Sequence, residues 1–262
     1  MFTISSAELN ALLAAFVYPF FRVIGLLVSE PIFGNQSISP QLRVGIAVVL
    51  TVIIAPNIND IPQVPIDSGI GLLIVVQQLI IGFAMGLALR VVLSGIEMAG
   101  HFGGMQMGLA FANFYDPQNS AQVPILGQFV GMIGLLVFLS MNGHLMVISA
   151  LSESFQLIPI TTKSLSAVGW KTLAEWGGNV FSIGMLLSMP IIAALLITNV
   201  AIGIMTRAAP QLNIFAVGFP ITLLAGFAVL MMSLPYLLPH IERYYQEGVE
   251  IVITILKGNA GN

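Results

Sequence analysis

Apolar residues in this chain come in long runs. Five of them, residues 9–33, 69–96, 124–151, 179–205 and 212–238, each reach the ~20 residues that a helix needs to cross a bilayer. A sixth, residues 44–54, is cut off by Arg43 and Pro56. It is too short to cross a ~30 Å hydrocarbon core as a straight helix, so it is expected to be partly buried in protein or to dip into the bilayer. The pattern predicts an all-α membrane protein. Pro19, Pro190, Pro220 and Pro235 fall inside the runs, where each removes a helix hydrogen bond, so kinked or broken helical hairpins are expected. Arg22, Gln77, Gln78, Arg90 and Asn199 also lie inside them. Because an arginine at a helix centre costs about 2.5–3.5 kcal/mol in lipid, these side chains are predicted to face protein or water.

The longest polar connection, residues 152–178, carries Glu153, Lys163, Trp170, Lys171, Glu175 and Trp176. It reads as an amphipathic or interfacial element, with the two tryptophans as interface anchors, and as the boundary between an N-terminal part (1–151) and a C-terminal hairpin (179–238). After Pro239 the tail, residues 239–262, spaces apolar residues at helical intervals and predicts a surface or docking helix.

Composition sharpens the class. Of 262 residues 57% are hydrophobic and 7% charged, against roughly 25% charged in an ordinary soluble domain. Eleven acids and eight bases spread thinly give a net charge of −3, which supplies no basic footprint for nucleic acid. The bases do not orient a six-span zigzag either, with Lys163, Lys171, Arg243 and Lys257 on one side and Arg43, Arg90 and Arg207 on the other. Cysteine is absent, which removes thiol nucleophiles and thiolate metal sites. The N-terminus lacks a basic n-region, so the first helix is expected to stay.

Glycines recur at i, i+4: Gly82 and Gly86, then Gly100, Gly104 and Gly108, then Gly127 and Gly131. Small residues at this spacing let backbones approach closely where lipid gives no hydrophobic drive for association, and they are expected to serve packing, including packing between subunits. Arg90 and Glu97 sit at i, i+7, beyond the reach of an intrahelical pair, so each is expected to find a partner elsewhere, such as on another subunit. Seven of thirteen methionines (Met85, Met98, Met105, Met107, Met132, Met141 and Met146) crowd the middle of the chain. Their soft thioethers suit a deformable seal as well as ordinary core filling. His101, His144 and His240 have no companions at metal spacing and are read as hydrogen-bonded structural residues. No catalytic constellation or phosphate loop appears, so neither an enzyme nor a cofactor is expected.

Five blocks then carry a resemblance: "RVIGLLVSEPIFGNQSISPQLR", "QQLIIGFAMG", "MAGHFGGMQMGLAFANFYDP", "NGHLMVIS" and "RAAPQLNIFAVGFP". In this order they are similar to the FliR family of export-gate subunits in bacterial flagellar type III secretion. The likeness runs over nearly the whole chain, with His101 a departure where an acidic residue is expected. It implies a non-enzymatic inner-membrane subunit of the flagellar basal body. Such a subunit assembles as one copy with several FliP and FliQ copies into a cone-shaped channel entry for unfolded flagellar proteins. FlhB docks on the cytoplasmic face, FlhA lies nearby, and the gate projects above the bilayer on the periplasmic side. It implies a FliP-like N-terminal part and a FliQ-like hairpin turning at "AAPQLN".

The resemblance also implies a loop that plugs the closed pore. It maps onto Gln106, Met107, Gly108, Leu109, Ala110, Phe111, Ala112, Asn113, Phe114, Tyr115 and Asp116, with Met105 at its border. Met105 and Met107 would give a deformable rim, Gly104 and Gly108 room to bend, Phe111, Phe114 and Tyr115 bulk, and Asn113 and Asp116 polar contacts in a channel. By its residues alone the stretch reads as a turn between helices, stopped at Asp116-Pro117. The rivals are a homologous injectisome subunit, a stand-alone secondary transporter suggested by Arg90, Gln77 and Gln78, and an architectural membrane scaffold.

Overall fold

The computed structural model describes residues 6–35, 37–58, 61–109, 125–209 and 214–258. Among them the regular structure is helical: α1 (Ser6–Ser29), α2 (Pro40–Ile54), α3 (Gly69–Gln106), α4 (Ile125–Ser140), α5 (Gly143–Leu157), α6 (Ala167–Gly177), α7 (Asn179–Ala208) and α8 (Ile214–Lys257). The stretches Glu8–Ser29, Pro40–Asn57, Gly69–Gln106, Ala167–Ala208 and Val217–Lys257 are long and apolar enough to cross a membrane, and α4 with α5 makes a broken span. The chain is an all-α membrane protein, as its hydrophobic pattern predicts.

Three boundaries differ from the pattern. The short sixth run grows to 18 residues, Pro40–Asn57, or about 27 Å at 1.5 Å per residue, which makes it a candidate span by length and composition where a shorter segment was expected. The helix starts ahead of the arginine because Ser39 Oγ accepts from Leu42 N and Pro40 takes the first turn. Arg43 does not cut the run, because its guanidinium turns aside to the carbonyls of Phe33 (2.8 Å) and Asn35 (3.2 Å). The run 124–151, expected as one span, breaks instead at Asn142, which takes the left-handed conformation (φ 58°). The prolines, by contrast, stay inside continuous helices: α7 runs through Pro190 and α8 through Pro220, Pro235 and Pro239.

Two compact units are built from interleaved segments. The first takes residues 1–91, 142–177 and 246–262, and the second residues 92–141 and 178–245. In the first unit Tyr18, Leu26, Ile81, Met85, Leu151, Phe155 and Ile255 are buried, and Tyr18 Oη donates to Val64 O at 2.9 Å. Here α6 lies against the end of α8, close enough that a Cβ on Gly169 would stand 2.7 Å from Ile255 O. The two tryptophans of α6 part company. Trp170 is exposed, whereas Trp176 is buried and donates from Nε1 to Ala88 O of α3 at 2.8 Å, a packing residue where an interface anchor was expected. In the second unit Phe138 of α4 and Tyr245 of α8 bring their rings to 4.8 Å between centroids, and Ile96, Ile183, Leu187 and Ile191 of the same unit are buried.

Candidate functional site

In the first unit the site is assembled around Arg22. The arginine sits in α1 with no exposed surface, and each arm of its guanidinium has an acceptor. Nε donates to Gln78 Oε1 at 2.8 Å, Nη1 to Ser154 O at 2.8 Å and to Ser154 Oγ at 3.2 Å, and Nη2 to Ile158 O at 2.8 Å. The cation also lies 4.3 Å from the centroid of the Phe155 ring, an additional attraction for a charge held away from water. A buried charge is tolerated only when fully hydrogen-bonded. Here neutral acceptors on α3, on α5 and just beyond α5 perform that task, so one side chain couples three segments far apart in sequence. The neighbouring Gln77 donates from Nε2 to Thr162 O, tying the connection after α5 to α3.

Small residues make the approach of α1 and α3 possible. A Cβ on Gly82 would strike Arg22 O and come within 2.9 Å of Leu26 N, and one on Gly86 would strike Ser29 Oγ and reach Leu26 O at 2.7 Å. Gly25 of α1 meets Leu79 O and Phe83 N in the same way. Ser29 Oγ then donates to Phe83 O at 3.0 Å. At the end of this interface Glu30 is 1% exposed and accepts from the amides of Ile32 (3.0 Å) and Phe33 (2.8 Å). Arg90, expected to find a partner elsewhere, such as on another subunit, is an exposed residue of α3 whose charge acts on Glu30.

In the second unit the packing continues along α3. A Cβ on Gly100 would lie 2.5 Å from Leu126 O and 2.8 Å from the Cα of Gly127, and one on Gly131 would lie 2.7 Å from Cγ of Glu97. Gly104 faces Leu126 at an ordinary 3.5 Å. The C-terminal end of α3 is pinned against α8. Met107 is fully buried, its Cγ and Cε each 2.6 Å from the position a Cβ on Gly226 would take, and Thr222 Oγ1 donates to Met107 O at 3.3 Å. Gly108 follows with φ 85°, its amide bonded to Met105 O at 3.0 Å.

Of the residues read as a plug, Met105 is exposed, Gln106, Gly108 and Leu109 are half-buried and Met107 is buried. Ala110, Phe111, Ala112, Asn113, Phe114, Tyr115 and Asp116 lie outside the described residues. Among the described residues no cluster of three His, Cys, Asp or Glu side chains is placed to hold a metal.

Sequence reasoning passed over Ser154, Phe155, Glu30, Thr222 and Gly226. Ser154 and Phe155 lay in what read as the start of a polar connection, and α5 runs through them to Leu157. A serine within helical register of apolar residues was the available signal. Glu30, a lone acid at the end of an apolar run, offered another. Thr222 and Gly226, one turn apart in the fifth run, carried none.

Comparison with known proteins gives the family. Residues 13–248 match the profile of "Bacterial export proteins, family 1". The chain is 36% identical over 256 residues to the flagellar biosynthetic protein FliR of Pectobacterium carotovorum, covering 98% of each chain. It is 34% identical to FliR of Escherichia coli K12, again over 98% of both. With FliR of Bacillus subtilis it shares 30% identity over 94% of this chain and 95% of the relative. Matched over nearly its whole length by sequence, the chain belongs to the bacterial export proteins, family 1.

Proposed function

We propose that this chain is a core, non-enzymatic subunit of a flagellar protein-export gate in the bacterial inner membrane. In this reading it packs with FliP and FliQ copies into the channel entry and receives FlhB at its cytoplasmic face, with FlhA nearby. End-to-end similarity to three FliR proteins carries the reading. The surface supports it: Ile197, Leu224, Met231, Met232 and Tyr236 on α7 and α8 are each more than 70% exposed, a density of large apolar side chains that lipid or other subunits must cover. The segment from Met105 to Asp116 serves as the plug of the closed pore, with Met107 and Gly108 as its root just beyond α3. The glycine ladder on α3 and α4 supplies the close packing, and transport energy comes from outside the chain.

The test is to purify the tagged full-length chain in mild detergent with its genomic neighbours co-expressed. One copy per FliP- and FliQ-containing particle is expected, and recovery as an independent active monomer overturns the reading. Deleting residues 109–113 should leave that particle intact and make the closed gate leak small ions. A particle as tight as the parent removes the plug while leaving the subunit assignment standing.

A further inference from the structure

Glu30 closes α1 under conditions unusual for a carboxylate. It is 1% exposed, and Oε2 takes both amides of the following turn, those of Ile32 and Phe33. The turn is closed by Gly34 N bonding to Glu30 O at 2.9 Å, and α3 presses its backbone against it at Gly86, where a Cβ would reach Glu30 N at 2.8 Å. Among the described residues no cation stands within ion-pair distance of the carboxylate. The charged groups around it are Arg90, an exposed side chain of α3 that acts on it through space, and Arg43 of α2, whose guanidinium is committed to the carbonyls of Phe33 and Asn35 in the same turn. A charge removed from water and answered, among the described residues, by two amides and the through-space charge of Arg90 is poorly compensated.

We propose that Glu30 makes the joint between α1 and α2 proton-responsive: the turn of residues 30–35 stays packed against α3 while the carboxyl carries a proton, and ionisation drives it toward opening. A protonated carboxyl keeps an oxygen that accepts an amide N–H but no longer bears the cost of a buried charge. An ionised one recovers that cost only by reaching water.

The direction follows from linkage. Burial, the dominant cause, raises the Glu30 carboxyl to about 7, although the amides of Phe33 and Ile32 and the charge of Arg90 pull it back down. The closed turn therefore binds the proton more tightly than an open, solvated one. Closure is fully favoured below the ordinary carboxylate range and is lost as the pH rises through about 7.

Hydrogen exchange at the Ile32 and Phe33 amides tests this in the full-length chain in lipid nanodiscs, from about pH 5.5 to about pH 8.5, after correction for base catalysis. In the unaltered chain protection should fall at least about tenfold across the range. Glu30→Gln, which is neutral and keeps a carbonyl acceptor, should hold these amides at the protected level with a flat profile. Arg90→Gln removes the cation that favours the ionised form and should move the midpoint to higher pH. The proposal is overturned by a flat or rising profile in the unaltered chain. It is equally overturned by a Glu30→Gln variant that titrates like the parent, or, should that variant not fold, by an Arg90→Gln midpoint that stays or moves down.

Discussion

Arg22 Nε donates to Gln78 Oε1 at 2.8 Å across 56 residues of sequence, and this bond settles which way the glutamine amide faces. With Oε1 turned to the guanidinium, Nε2 is left buried and without an acceptor among the described residues. The pair is therefore held by the arginine, which has three further bonds of its own, and a variant at position 22 should be felt along the whole α1–α3–α5 contact.

Replacing Arg22 with Met is expected to destabilise the chain by about 3–5 kcal/mol, since Gln78 Oε1 and Ile158 O lose their donor in a buried site. Arg22→Lys keeps the charge, yet one ammonium does not reproduce the planar fork. A smaller loss of about 1–3 kcal/mol should result. Denaturant unfolding in detergent, followed by the fluorescence of buried Trp176 in the same unit, measures both. Parent-like stability in Arg22→Met would show that the arginine is dispensable to the unit.

Gly82 and Gly45 should respond in opposite senses to the same added methyl. At Gly82 the new Cβ meets the backbone of Arg22 and Leu26, which forces α1 and α3 apart, and a cost of about 1–3 kcal/mol or more is expected. At Gly45 on α2 a Cβ meets nothing within 4 Å, so Gly45→Ala should gain up to about 1 kcal/mol from helix propensity. Thermal unfolding of the two variants side by side checks the contrast.

Asn142 separates α4 from α5 with a left-handed backbone, a conformation that costs an L-residue roughly 1–2 kcal/mol and glycine almost nothing. Asn142→Gly should be neutral or slightly stabilising, and Asn142→Val should lose about 1–2 kcal/mol. Equal melting temperatures for the two would mean the break is imposed elsewhere.

Met107 and Gly226 should be energetically coupled. Gly226→Ala drives a Cβ into the methionine side chain, and repacking a buried site around it costs about 1–3 kcal/mol. The same substitution in a Met107→Ala background meets an empty space and should cost close to nothing. A double-mutant cycle yields the coupling directly, and additive effects would show that the end of α3 is not seated on α8 in this way.

How far the chain could be read in advance depended on whether the cause was local. The runs around residues 9–33 and 69–96 announce α1 and α3 because an apolar stretch of that length in a chain with 7% charged residues has one low-energy form in a bilayer, the helix. The i, i+4 spacing of the glycines is legible for the same local reason, a stripe of small residues on one helix face, and at Gly82, Gly86, Gly100 and Gly131 it coincides with close approach to other parts of the chain. Local rules failed where a partner distant in sequence intervened. Arg43 read as the end of an apolar run, but the carbonyls of Phe33 and Asn35 draw its charge away and leave the helix long. The prolines read as kinks or breaks lie inside α7 and α8, while the chain break falls on an asparagine.

By itself the sequence determined the class of the protein, the number of apolar helices to within one broken span, and the family. Those follow from transfer free energies and from strings of residues, neither of which needs a third dimension. Only the tertiary structure decided that Arg22 is satisfied by neutral acceptors from α3 and from in and just after α5, that Met107 is locked under Gly226, and that Glu30, just past the end of α1, has no ion-pair partner among the described residues. Each depends on backbones brought together across tens to more than a hundred residues, and an isolated helix has no means of specifying the groups that will face it.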